Sequence, residues 1–340
     1  MLSKYVVFPK PNVVEVKTEE LKTDGLGPKE VLIRNEASII SPGTELATLA
    51  GKEIGVQFPK RPGYGSIGKI LAKGNEINDF EVGDRVFYTG YHASLQRFTH
   101  EQGHQWGHLF PVPQDLDPVE AALGCMVEIS MTAPNFTELR IGDSVVVYGL
   151  GIVGMLAALM YKIKGAHVIA ADPVQKRCDL ALSLGIDEVI SCPPDQQVEE
   201  VMKRTGGQGA RYTVDAVGHS AIIRTCVKTT APMGEILLLG SPRAPLAGDI
   251  NEIMWDVHLN GKSIRGMHMF RYPVKSGRGV KMDVEWAFAT AFDLIQKKRI
   301  DAQKLISHLI LPGDVPATYT GLRENLNEYF CTVIDWRNEE

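Results

Sequence analysis

Between positions 144 and 177 the apolar pattern changes period twice. Val145-Val146-Val147-Tyr148 has the continuous apolar character of a strand buried on both faces. Glycines punctuate the chain at 149, 151 and 154, and from Ile152 the apolar positions continue as a helix. A second apolar run, 167–171, ends on Asp172. Strand, glycine turn, helix and strand make a βαβ unit. Downstream the alternation persists: strands are predicted at 188–190, 212–217, 235–239 and 263–266, and helices near 196–205 and 220–229. Such alternation predicts a parallel, doubly wound sheet.

The chain before this unit reads differently. Short β-runs at 31–33, 67–71 and 84–88 are separated by turn signals, Lys73-Gly74-Asn75 and Val82-Gly83-Asp84. They predict a compact, mostly β domain. From Pro118 a helix is predicted, with Asp117 as N-cap and Glu120 adding negative charge to its first turn. It should run through Ala121-Ala122-Leu123 toward Thr132-Ala133. After the alternating region only one amphipathic helix, 284–298, and a closing strand near 329–334 are visible. These pieces are too few to fold alone, so they are expected to rejoin the first domain. The chain is therefore read as α/β, with a mostly β domain over 1–125 and 269–340 interrupted by a nucleotide-type domain over 126–268.

Charge and composition narrow the partners. A net charge of −5 without a basic cluster argues against nucleic acid or an anionic membrane surface as a partner. The apolar runs stop well short of the roughly 20 residues of a membrane-spanning helix. The N-terminus lacks a signal-peptide profile and reads as a first strand. Five scattered cysteines without a CxxC pair fit reduced thiols, and a cytoplasmic protein is expected.

The glycine turn carries chemistry. Gly149 permits a tight turn, Gly151 lets the backbone approach a pyrophosphate, and Gly154 lets the helix pack close to the strand. Ile152 and Val153 present N–H groups at the helix start, where phosphate oxygens are held. Asp172 is placed to accept hydrogen bonds from ribose hydroxyls and to repel a 2′-phosphate, so NAD is expected in preference to NADP. Lys176 and Arg177 are the nearby cations that would soften that preference. Val217 and Gly218, and Gly240 and Ser241, follow strand ends, where sheet loops reach the nicotinamide half of a bound dinucleotide.

Other phrases carry a resemblance. They are Ser41-Pro42-Gly43-Thr44-Glu45, Pro62-Gly63-Tyr64-Gly65-Ser66-Ile67-Gly68, Phe80-Glu81-Val82-Gly83-Asp84-Arg85-Val86, Val214-Asp215-Ala216-Val217-Gly218 and Leu305-Ile306-Ser307-His308. With the glycine turn, they make nearly the whole chain resemble the medium-chain dehydrogenase/reductase superfamily, the relatives of alcohol and polyol dehydrogenases. The resemblance implies a GroES-like catalytic domain interrupted by a Rossmann domain, with the active site in the cleft between them. It also implies a homodimer, paired through the sheet edge formed by the strand leading to Gly266. Arg177 matches the cation that packs near the adenosine ribose.

The family's catalytic zinc does not carry over. Pro42 stands where zinc-dependent relatives have cysteine, Tyr64 where they have histidine, and Gly65 where a glutamate follows. Only Cys125 matches a ligand position. No catalytic zinc is expected, and 88–109, where the structural zinc lobe would lie, contains no cysteine. That stretch holds His92, His100, His104 and His108. The last three would share one face of a helix and admit a metal, whereas a polar loop turning at Gly103 and Gly107 would not. No metal is expected there.

Without zinc, a hydrogen-bonding or general-base group must manage the proton. Thr44 matches the hydroxyl that relays it in zinc relatives. Tyr64 is placed either to polarise a carbonyl or simply to pack. Glu45 matches a carboxylate behind the metal, placed to orient a base or tie down backbone. His92 opens a strand that borders the substrate pocket in the superfamily. The Pro42 and Tyr64 replacements resemble zinc-free quinone oxidoreductases and enoyl reductases, which usually prefer NADPH. The Ser-Pro-Gly-Thr-Glu phrase resembles a group related to bacteriochlorophyllide hydroxyethyl dehydrogenase and cyclitol dehydrogenases. The expectation is zinc-independent, reversible, NAD-linked oxidation of a small-molecule secondary alcohol, a polyol, cyclitol or similar. The alternatives are reduction of an enone or quinone, and a nucleotide-binding sensor without turnover. The pocket loops 52–61 and 267–279 carry no readable substrate code.

Overall fold

The N-terminal runs form strands β1 (Leu2–Val7) and β2 (Glu15–Glu20), an antiparallel pair, and the long, largely buried β3 (Glu30–Ile40). The chain then forms α1 (Pro42–Leu49), β4 (Ser66–Lys73), β5 (Arg85–Tyr88), β6 (Leu95–Thr99), β7 (Phe110–Pro111) and α2 (Pro118–Ala122). The computed structural model describes residues 1–269, 272–280 and 282–339. It divides into two units, 1–125 with 272–340, and 126–271. Phe270 and Arg271, within the 267–279 loop, lie outside the described residues.

Asp117 caps α2 as expected, its Oδ1 accepting from the N–H groups of Val119 and Glu120 at 2.9 and 3.3 Å. The single helix expected from Pro118 to about Ala133 is instead two. After α2 the chain breaks at Leu123 and restarts as α3 (Gly124–Phe136), in which the boundary between the units falls. Leu123 keeps right-handed helical angles (φ −61°, ψ −22°), and at the restart a Cβ on Gly124 would stand 2.6 Å from the Phe292 ring. A bare glycine lets that ring close over the junction.

The second unit holds β8 (Ser144–Tyr148), α4 (Ile152–Ile163), β9 (His167–Ala171), α5 (Gln175–Ser183), β10 (Glu188–Ile190), α6 (Gln197–Arg204), β11 (Ala210–Asp215), α7 (Ser220–Thr229), β12 (Thr230–Leu238), α8 (Asn251–Asn260) and β13 (Ser263–Gly266). All six strands pair in parallel, in the order β10-β9-β8-β11-β12-β13. Strand order reverses between β8 and β11, and in open α/β sheets such a reversal opens a crevice at the strand carboxyl ends. Val145–Tyr148 and Val168–Ala170 are almost wholly buried, as their unbroken apolar character requires.

The returning segment forms α9 (Val284–Gln296), α10 (Ala302–Leu305), β14 (His308–Ile310), α11 (Val315–Glu324) and β15 (Thr332–Asp335). The expectation of one helix here is corrected by α10 and α11. In α11, Val315, Tyr319 and Leu322 recur at helical spacing and pack with Phe8, Ile40 and Trp336. Its remaining positions, rich in Thr, Pro and Gly, mask that face in the sequence. β15 pairs antiparallel with β3, setting Thr332 opposite Ile40 and Ile334 opposite Ser38. The seven-stranded sheet runs β14-β15-β3-β4-β5-β7, with β6 also paired to β3. Among the described residues, no helix is long and apolar enough to cross a membrane.

Candidate functional site

In the second unit, the β8-to-α4 turn gives its three glycines three different reasons. Gly149 has φ +90°, a conformation glycine adopts without strain, and a Cβ there would meet Val217 Cγ2 at 2.6 Å. Gly154 lies so close to the turn that a Cβ would stand 1.9 Å from the Gly149 carbonyl oxygen. Gly151 differs from both: a Cβ would find nothing within 4 Å. Gly151 is the N-cap of α4, so the N–H groups of Ile152, Val153 and Gly154 open the helix beside that clear space. An opening of this shape, at the positive end of a 12-residue helix, can accommodate an anion held by backbone N–H groups.

Asp172 follows β9 directly and is 3% exposed. One carboxylate oxygen accepts from Leu150 N–H at 2.7 Å and the other from Val174 N–H at 2.8 Å, with Arg177 Nη1 at 3.7 Å. The carboxylate thus ties the glycine turn to the end of β9. Lone pairs remain for further donors. At the end of β11, Asp215 Oδ1 accepts from Val217 and Gly218 N–H at 2.9 and 3.0 Å. Burial pushes the Asp215 carboxyl above its ordinary range, against the lowering effect of those two N–H groups. Gly218 and Gly240 let the loops after β11 and β12 touch. A Cβ on Gly218 would meet Ser241 O at 2.1 Å, and one on Gly240 would meet Gly218 N at 2.4 Å. Val217, half-exposed, flanks Gly149. The cofactor-binding candidates of 149–154 and 217–241 therefore gather at one end of one sheet.

In the first unit, α1 begins at Pro42, and Ser41 is its N-cap. The Ser41 hydroxyl does not cap the helix. Glu45 reaches back instead, its Oε1 accepting from Ser41 N–H at 2.7 Å. That frees the hydroxyl, which accepts from Tyr64 Oη at 2.5 Å. Thr44 also hydrogen-bonds the Tyr64 phenol. Burial pushes the phenol well above its ordinary range, and the nearby Cys125 thiol adds to the shift. It is held as a donor at neutral pH. Cys125 packs beside Gly65, where a Cβ would lie 3.3 Å from its Sγ. The positions Thr44, Tyr64, Gly65 and Cys125, dispersed over some eighty residues of sequence, converge.

Glu45 and His92 lie behind this cluster. His92 is 0% exposed and Glu45 2%. His92 Nε2 meets Glu45 Oε2 at 3.0 Å, and Nδ1 meets Ser38 Oγ at 2.8 Å. Trp336 Nε1–H donates to the same Ser38 oxygen at 2.9 Å, and Tyr319 Oη donates to Glu45 Oε2. One direction satisfies the whole chain: Trp336 to Ser38, Ser38 to His92 Nδ1, and His92 Nε2–H to the carboxylate. Burial, and then the charge of Glu45, hold the Tyr319 phenol far above its ordinary range, so it remains a donor. Both ring nitrogens of His92 are occupied within the core.

Neither metal arrangement finds a ligand set. Of the three zinc-ligand positions, Pro42, Tyr64 and Cys125, only Cys125 offers a metal-binding thiol, and a catalytic zinc takes three protein ligands. Among the described residues no three His, Cys, Asp or Glu side chains group as a metal site. The residues present do not fit the zinc of the zinc-dependent relatives. The stretch holding His100, His104 and His108 is a loop, not a helix. His100 Nε2 meets Asp79 at 3.1 Å, His104 lies 3.7 Å from Glu101, and His108 Nε2 meets Glu285 at 2.9 Å.

Comparison with known proteins agrees with this architecture. Residues 27–108 match the family model of the alcohol dehydrogenase GroES-like domain, and 153–281 that of the zinc-binding dehydrogenase. A zinc-type alcohol dehydrogenase-like protein of Haemophilus influenzae is 23% identical over 96% of each chain. D-guloside 3-dehydrogenase of Escherichia coli is 25% identical, over 78% of this chain and 74% of its own. The solved structure of benzyl alcohol dehydrogenase from Acinetobacter calcoaceticus superposes with a TM-score of 0.83, at 19% identity over 98% of this chain and 99% of that one. The chain belongs to the medium-chain dehydrogenase/reductase superfamily, and it is an oxidoreductase.

Sequence reasoning did not find Ser41, Ser38, Tyr319 or Trp336. Ser41 had a local signal, a serine directly before Pro42 at a helix start. Tyr319 and Trp336 had none, because each reaches its partner from more than 270 residues away.

Proposed function

We propose that this protein catalyses reversible, NAD-linked oxidation of a small secondary alcohol, a polyol, cyclitol or similar, without a metal ion. The observation that carries the reading is the β8-to-α4 turn. Gly154 is excluded from bearing a side chain by the Gly149 carbonyl, Gly151 faces open space at a helix start, and Asp172 fixes the loop. Gly149, Gly151, Ile152, Val153 and Gly154 would hold the pyrophosphate. Asp172 and Arg177 would meet the adenosine ribose, and Val217, Gly218, Gly240 and Ser241 the nicotinamide half. When bound, the nicotinamide accepts a hydride from the alcohol carbon. The Asp172 carboxylate disfavours a 2′-phosphate, which supports NAD over NADP. D-guloside 3-dehydrogenase, by its name, acts on a sugar derivative, which supports a polyhydroxylated substrate.

Tyr64, kept protonated by burial, would donate a hydrogen bond to the reacting oxygen, with Ser41 and Thr44 fixing its phenol. Glu45 and His92 act from behind as positioning residues, since their polar atoms are spent on the core. A donor phenol also suits the carbonyl of an enone, and that observation keeps enone or quinone reduction as the second reading. The test is a panel of polyols, cyclitols and butanediols with NAD, and of enones and quinones with NADH and NADPH, followed by nicotinamide absorbance. Turnover of secondary alcohols with NAD supports the reading. Turnover confined to enones or quinones with NADPH defeats it.

A further inference from the structure

The loop between β6 and β7 is fastened by two buried histidines. His100 is 5% exposed and His108 2%, and their rings lie 5.3 Å apart. Each turns one nitrogen to its own loop and the other to a carboxylate outside it. His108 Nδ1 accepts from Gly103 N–H at 3.1 Å, and its Nε2 meets Glu285, in the first turn of α9, at 2.9 Å. His100 Nδ1 accepts from Leu109 N–H at 3.3 Å, and its Nε2 meets Asp79, in the turn after β4, at 3.1 Å. With both rings neutral and protonated at Nε2, every one of these contacts pairs a donor with an acceptor. The rings of Phe80 and Phe110 pack edge-on against His100 and His108.

A proton on Nδ1 disturbs the two rings unequally. At His100 it finds the Gly107 carbonyl oxygen 3.2 Å away. At His108 it faces the Gly103 N–H, donor against donor. The charged and titratable groups around the pair are Lys29, Glu76 and Asp79 beside His100, Glu285 and Lys275 beside His108, and Glu101 and His104 of the loop itself. The same loop carries Trp106. Its ring meets that of Tyr64 edge-to-face, centroids 6.4 Å apart, and its carbonyl accepts from Thr89 Oγ1 at 2.7 Å. Fastening the loop therefore sets an aromatic wall against the phenol that Ser41 and Thr44 hold.

We propose that His100 and His108 form an acid-released clasp: while His108 is neutral the loop stays closed with Trp106 on Tyr64, and a proton on His108 frees the loop and withdraws Trp106 from the phenol. All of these residues belong to the first unit. Burial lowers the His108 imidazole below its ordinary value; the Glu285 charge opposes that, and the His100 ring and Lys275 add to it. A folded value below the unfolded one, about 6.5, makes the clasp fully stabilising above that pH and loosens it as pH falls through the folded value.

The test follows acrylamide quenching of tryptophan fluorescence in the full-length protein from about pH 8 to 5. Comparison with Trp106→Phe isolates Trp106 from Trp255, Trp286 and Trp336. Far-UV circular dichroism is recorded in parallel, and imidazole NMR shifts give the His108 midpoint. Trp106 should become more accessible as pH falls, with a midpoint that matches the His108 titration and lies below about 6.5, while the dichroism holds. His108→Asn keeps an acceptor for Gly103 N–H and takes no proton, so in it the pH dependence should be lost. Unchanging Trp106 accessibility in the wild-type protein, a midpoint away from that of His108, or a transition that tracks loss of dichroism overturns the clasp. So does the same transition in His108→Asn. If that variant fails to fold, the match of the two wild-type midpoints decides.

Discussion

Gly151 and Gly154 stand three residues apart and should respond oppositely to the same methyl group. Gly154→Ala forces a Cβ against a backbone carbonyl 1.9 Å away, which nothing but main-chain movement relieves. Thermal or urea unfolding should show it destabilised by about 1–3 kcal/mol. Gly151→Ala meets nothing within 4 Å and should unfold within about 0.5 kcal/mol of wild type, yet lose NADH affinity at least about tenfold by crowding the phosphate position. Equal stability losses in the two variants would contradict the assignment. Glu45→Ala strands Ser41 N–H, His92 and Tyr319, so its cost should reach about 3 kcal/mol in the same melts. Glu128, buried on α3 with neither carboxyl oxygen hydrogen-bonded, makes a prediction with a sign. Its folded-state value, about 8, lies above that of an unfolded glutamate, about 4.3. Its contribution to stability is therefore fully present below about pH 4 and is lost progressively as pH rises to 8. The stability gained by Glu128→Gln over wild type should grow between pH 5 and 8, and parallel curves would count against it.

At the scale of elements, the junction between α2 and α3 tests how tightly the first unit packs. Gly124→Ala should cost about 1–3 kcal/mol because the Phe292 ring covers the glycine, and Phe292→Leu in the same chain should recover part of it. A null effect of Gly124→Ala would show that the Phe292 ring yields to a methyl group at this junction. That junction also marks where the sequence stops being readable. Within the βαβ region each signal is local: a six-residue glycine spacing fixes a turn, and apolar runs such as 145–148 can only be buried strands. Those elements appear where the pattern puts them, β10, α7 and β13 at the same residues. Ala121-Ala122-Leu123 reads as helix, and nothing local marks the interruption or the distant Phe292 ring that packs on Gly124. α11 was hidden for a related reason, since its buried stripe of Val315, Tyr319 and Leu322 is diluted by Pro, Thr and Gly. The hydroxyl cluster divides the same way. Thr44 and Tyr64 are legible within short phrases, whereas Tyr319, which donates to Glu45, comes from α11, and Trp336, which donates to Ser38 behind His92, from just beyond β15.

At the scale of the whole molecule the first question is assembly. β13 ends the strand order of the six-stranded sheet, and α8 leaves Met254, Trp255 and Leu259 exposed. We expect light scattering to give about twice the 37.4 kDa chain mass and Trp255→Glu to shift it toward the monomer. A monomeric wild type would exclude the dimer. The central claim, that side chains and not a zinc ion manage charge on the reacting oxygen, is tested most directly by the rate of NAD reduction by a secondary alcohol before and after exhaustive chelation. An unchanged rate in protein freed of zinc is predicted; a rate that collapses on chelation and returns when zinc is restored would contradict it.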